Sequence, residues 1–183
     1  MNKNFWLEAL KGGTIIGLVS VGFAILTQTI GEDSTTLLKV VNFLSSFIMI
    51  MLAFAFTRKF SAGHSAEVGF SFGRGLGFVV AMMLFAGFIQ GLYSAIMAKF
   101  FIGGELLQAV DEVMAQMQDV LPADQFDGTY QMMQKSVTSP LLLTISSVFS
   151  NALSGVFLGL IISIFTRRRA DIFADSGNQQ QMQ

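Results

Sequence analysis

Few side chains in this 183-residue sequence could do chemistry, and their types and spacing narrow what that chemistry could be. There is one histidine, His64, and no cysteine, so disulfides, thiolate metal sites and cysteine nucleophiles are excluded. His64 sits in a basic stretch with Arg58, Lys59 and Arg74. A hydrolase would need a nucleophile about 3 Å away, and the sequence carries no nucleophile elbow and no His-Glu-x-x-His. Gly73-Arg-Gly-Leu-Gly77 is not a phosphate-binding loop, because it lacks the spaced Gly-Lys-Ser/Thr and follows no strand. Asp119, Asp124 and Asp127 miss the alternation of a calcium loop and read as a solvated acidic face. Gln90, Ser94 and Asn151 stand out because they interrupt long apolar runs, where amides and hydroxyls hydrogen-bond between helices. A conduction path usually needs buried ionisable groups, and only Lys39, near one end, falls inside those runs. The expectation is a chain with no catalytic residue, no metal site and no cofactor.

The elements that hold these residues are set by composition. With 52% hydrophobic residues, 13% charged and a mean hydropathy of +0.61, the chain is too apolar for an ordinary soluble domain and belongs in a bilayer. From Gly12 to Ile30 no side chain ionises, a length that just crosses a hydrocarbon core of about 30 Å. A signal peptide has a shorter apolar region and a small-residue cleavage site, so this run is expected to be a permanent first span. Further spans are expected over 37–57, 75–98 and 141–166, giving an all-α polytopic membrane protein of four transmembrane helices in one domain over 1–170.

The third span sets small residues against large ones. At 100° per residue Gly73, Gly77, Gly87 and Gly91 share a stripe with Ala95 and Ala98, opposite Phe78, Met82, Phe85 and Ile89. Gly13-x-x-x-Gly17 in the first span and Gly155-x-x-x-Gly159 in the fourth repeat the theme. Such pairs let backbones approach, either as seams within one bundle or as faces between copies of the chain. The second span has no glycine and is expected at the periphery.

Between the third and fourth spans, residues 99–139 contain Leu106, Val110, Val113 and Met117, then Phe126, Tyr130 and Met133, at helical spacing on either side of Pro122. They are expected to form an amphipathic helical hairpin. Ser139-Pro140 is the start signal of the last helix. Arg167, Arg168 and Arg169 end that helix and are expected to anchor it at anionic lipid, ahead of a disordered tail over 171–183. Eight of the eleven Lys and Arg lie in the N-terminus, the 58–74 loop and the C-terminus. By the positive-inside tendency both termini are cytoplasmic and the hairpin is extracytoplasmic.

The order of these features resembles a bacterial membrane family, the domain of unknown function 4199. The likeness lies in Phe70-Ser-Phe-Gly-Arg74 leading into the third span, in Met132-Met-Gln-Lys135 with Ser139-Pro140 before the fourth, and in the closing Gly159-Leu-Ile-Ile-Ser-Ile-Phe-Thr-Arg-Arg168. It implies a four-helix protein of the inner membrane of Gram-negative bacteria, and it brings no activity or site residues. The functional expectation is a non-enzymatic scaffold or accessory subunit whose hairpin binds a protein partner or lipid. The alternative is a small transporter or channel component acting as an oligomer. Expected partners are membrane lipid and another membrane or periplasmic protein or a second copy, with no nucleic acid.

Overall fold

Hydrocarbon offers no water to a backbone, so each apolar run must satisfy its own N–H and C=O groups, and each does so as a long helix. The computed structural model describes residues 3–30, 35–64, 69–118 and 122–168. The helices are α1 (Lys3–Ile30), α2 (Thr35–Ala62), α3 (Phe72–Phe100), α4 (Gly103–Met117), α5 (Ala123–Thr138) and α6 (Pro140–Thr166). Four of them, α1, α2, α3 and α6, are long and apolar enough to cross a membrane. Arg169, Asp119 and the tail over 171–183 lie outside the described residues, as does the link between α1 and α2.

The helices overrun the charge-free stretches, most of all α1, which starts at Lys3 and not at Gly12. Loss of apolar character marks where the hydrocarbon ends, whereas the hydrogen-bonded ladder continues into the interface. Two starts are capped as the sequence indicates. The Ser71 hydroxyl accepts from the Arg74 N–H at 3.4 Å at the head of α3, and the Ser139 hydroxyl accepts from the Leu142 N–H at 3.5 Å, with Pro140 in the first turn of α6.

α3 is the axis of the bundle. α6 makes the most extensive contact with it and α1 the next, while α1 and α6 do not touch among the described residues. The two neighbours take different sides of α3. α6 lies along Gly87 and Gly91, and α1 lies along Met82, Phe85 and Ile89, which pack over the glycines of α1 itself. α2 leans chiefly on α1. Its buried residues, Ala53, Thr57 and Ser61, all lie in its second half, while Phe43 in the first half is 76% exposed.

The outer surface of this bundle is apolar. Leu18, Phe47, Phe149, Phe157 and Phe165 are all exposed, which water would penalise and lipid would not. The architecture is that of a membrane protein.

α4 and α5 form a hairpin where α3 ends and α6 begins, and both touch α3. Val110 and Met114, one turn apart on α4, are its buried residues. Val113 and Met117, expected on that same apolar face, are exposed. The Tyr130 hydroxyl donates to Asp111 Oδ1 at 2.7 Å, tying α5 to α4.

Candidate functional site

The glycines predicted as helix contacts divide into two groups. A Cβ built at Gly91 would lie 2.8 Å from the Cα of Thr144, and one at Gly87 would lie 2.9 Å from that of Val148. At Gly155 it would meet the Met83 side chain at 2.8 Å, and at Gly159 the Leu76 side chain at 2.8 Å. Gly17 faces Ala86 and Ile89, and at Gly13 a Cβ would run into the Met82 carbonyl. These six therefore sit where two helices of one chain come together.

Gly73 and Gly77 do not join them. Among the described residues nothing lies within 4 Å of a Cβ built at either, so the expectation that they pack against a helix is corrected. The α3–α6 seam runs from Gly91 and Gly87 through Met83 to Leu76 and turns around α3 on the way. By the start of the helix it falls on Gly75, two residues from each of the predicted pair and so about 160° around the axis. Gly75 faces Ser163, whose oxygen would be 2.8 Å from a Cβ there. Ser163 is fully buried and its hydroxyl has no hydrogen-bond partner among the described residues.

The intramembrane polar residues form pairs between helices. Asn151 Nδ2 of α6 donates to Gln90 Oε1 of α3 at 3.0 Å and to the Ser147 carbonyl at 2.9 Å, so both of its amide hydrogens are used. The Tyr93 hydroxyl donates to Gln28 Oε1 of α1 at 3.1 Å. Ser94, half-buried, takes part in neither pair. An interhelical side-chain bond of this kind contributes about 0.6 to 2 kcal/mol. Sequence reasoning identified the polar positions but could not pair them, because partners 61 or 65 residues apart meet only once helix register is known.

At the basic end the chain is tied together by its backbone. The Phe70 N–H donates to the Arg168 carbonyl at 2.9 Å and the Arg168 N–H returns a bond to the Phe70 carbonyl at 3.0 Å. Gly69, in the left-handed region at φ 63°, makes the turn into this bridge. Ser61 Oγ donates to the Thr166 carbonyl at 3.0 Å, and Arg168 Nη1 reaches the Ser61 carbonyl at 3.5 Å. The bridge thus joins the lead-in to α3 with the exit of α6, two of the segments on which the family resemblance rests.

A family model matches residues 11–168. The chain belongs to the DUF4199 family, whose members are proteins of unknown function. No curated protein and no solved structure matches it. The DUF4199 match takes in all of α2 to α6 and most of α1, so the family's shared unit is the whole bundle with its hairpin.

Beside the bridge, α1, the end of α2 and the start of α3 surround a cleft of about 1370 Å³. Gly73, Gly77 and Arg74 line it together with Lys11, Lys59 and His64. His64 Nδ1 lies 2.9 Å from the Phe60 carbonyl one turn back, and its ring is set edge-on against Phe60 and Phe70 at 4.9 and 5.2 Å. This holds the ring in an aromatic cluster in which Phe60 also stacks on Phe78 at 4.2 Å.

Proposed function

We propose that this DUF4199 chain is a non-enzymatic membrane scaffold or accessory subunit of the bacterial inner membrane, with both termini cytoplasmic and the α4–α5 hairpin on the other side, where it engages a protein partner. The carrying observation is that apolar side chains on both helices remain exposed after the hairpin has packed. Val110 and Met114 are buried and Tyr130 is tied to Asp111, yet Val113, Met117 and Met132 stay exposed. Glu105, Glu112 and Asp127 of the same hairpin are exposed as well. Such a surface is repelled by anionic lipid and complements a protein whose contact patch is rimmed by Lys and Arg.

The transporter alternative would use Gln90 and Asn151 as a polar passage. Both N–H groups of Asn151 are spent, on Gln90 Oε1 and on the Ser147 carbonyl, which supports a role in joining α3 to α6. A photo-crosslinking amino acid at Met132, activated in native membranes, tests the reading. One discrete protein adduct is the expected result. Adducts to lipid alone would move the hairpin onto the leaflet, and no adduct would overturn the partner-binding role.

A further inference from the structure

The cleft at the basic end plays no part in that reading, and its wall is of two kinds. Phe5, Ile15, Phe56 and Phe60 give it an apolar side, and Lys11, Lys59 and Arg74 give it a cationic one, with His64 alongside. Glu8 is the one carboxylate among the described lining residues, and its Oε1 lies 3.0 Å from Lys11 Nζ. Three cations against one carboxylate give the described lining an excess of positive charge.

Gly73 and Gly77 complete the wall. Both are exposed, and no described residue reaches the space a side chain would fill on that side of α3. The glycine pair that contacts no helix therefore gives the cleft a smooth flank beside Arg74.

A free phosphate would use the cations and leave the phenylalanines without a role, while a neutral hydrocarbon would do the reverse. A ligand that uses both is an anionic amphiphile. Ile15, 42% exposed, carries the apolar wall out to the bundle surface that the bilayer covers, so such a molecule can enter sideways from lipid. We propose that this cleft holds one anionic phospholipid, its phosphodiester between Lys11, Lys59 and Arg74 and an acyl chain along Phe5, Phe56 and the Gly77 flank. A guanidinium suits the phosphate oxygens through paired N–H bonds, and lysine adds a point charge. The proposal is independent of the hairpin's partner and of which side of the membrane the cleft faces.

The test compares delipidated full-length protein returned to phosphatidylglycerol or to phosphatidylcholine nanodiscs, with thermal stability and native mass spectrometry as readouts. Phosphatidylglycerol is expected to raise the melting temperature above that in phosphatidylcholine and to leave one bound lipid after detergent extraction. Lys59→Gln with Arg74→Gln should abolish both effects. Both side chains are exposed, so the fold should survive, which the melting temperature in phosphatidylcholine verifies. Glu8→Gln, removing the one opposing charge, should enlarge the difference between the lipids, and Gly77→Leu should reduce it by filling the flank. Arg167→Gln removes an interface cation outside the cleft wall, so it should trim the difference between the lipids only slightly and leave the one bound lipid in place. Equal stabilisation by the two lipids, an undiminished effect in the double variant, or the same loss with Arg167→Gln would overturn the site. A matching rise with inorganic phosphate alone would overturn the lipid as its ligand.

Discussion

Tyr130 is the residue whose chemistry departs most clearly from its ordinary state. The hydrogen bond to Asp111 raises its pKa above the usual 10.0, with desolvation and the Asp111 charge acting in the same direction. The favoured form is thus the neutral phenol that donates the bond. Its contribution to holding α5 on α4 is fully present below the unfolded pKa and is lost as pH rises through the raised folded value. In a Tyr93→Phe background Tyr130 is the sole phenol, so its phenolate absorbance can be followed alone. It should titrate above the usual value, and Asp111→Asn should bring it back down; an unchanged titration in that variant would show that the 2.7 Å bond does not exist in solution. Legibility at this scale ends at single positions. Gln90 and Asn151 are conspicuous in the sequence as polar groups among apolar neighbours, and Tyr130 reads as part of an apolar helical face, but what each one meets depends on another helix.

Helices were legible to within a few turns, since a chain in hydrocarbon has little choice but to hydrogen-bond to itself. The packed faces were less so. A stripe drawn at 100° per residue keeps Gly73 and Gly77 in line with Gly87 and Gly91, whereas the observed contact turns around α3 and reaches Gly75 instead. Periodicity describes one helix, and a seam is a property of two, set by their crossing. The glycines accordingly differ in what they tolerate. Gly91→Ala places a methyl against the Thr144 backbone at 2.8 Å, so α6 must move away. The expected cost is of the order of 1–3 kcal/mol. Gly73→Ala meets no atom of a described residue within 4 Å and replaces a poor helix former, so it should be neutral or slightly stabilising. Thermal unfolding of the two variants in one detergent checks this, and equal losses would mean that the contact at Gly91 is not what holds α6 to α3.

At the scale of the molecule, charge is sorted to the ends of a rod whose sides are apolar. Lys11, Arg58, Lys59, Arg74, Arg167 and Arg168 gather where α1 and α3 start and α2 and α6 finish, and the opposite end keeps Lys39, Lys99 and Lys135. Loops rich in Lys and Arg are retained on the cytoplasmic side during insertion, while acidic residues have little say. On that tendency the proposed topology puts the hairpin, with Glu105, Asp111, Glu112 and Asp127 against Lys135, on the far side. The absence of cysteine makes the claim easy to test, because one introduced thiol is the only one present. Gly128 and Gly63 are exposed on the two ends, and among the described residues a Cβ at either meets nothing closer than 3.5 Å. In intact cells whose outer envelope admits the reagent, a membrane-impermeant maleimide should label Gly128→Cys and spare Gly63→Cys until the inner membrane is opened. The reverse pattern would invert the protein, carrying the hairpin inside and the cleft to the outer face. Labelling of both in sealed cells would be worse for the reading, since it would put the two ends of α3 on one side and leave the apolar flanks of the bundle without a bilayer to cover them.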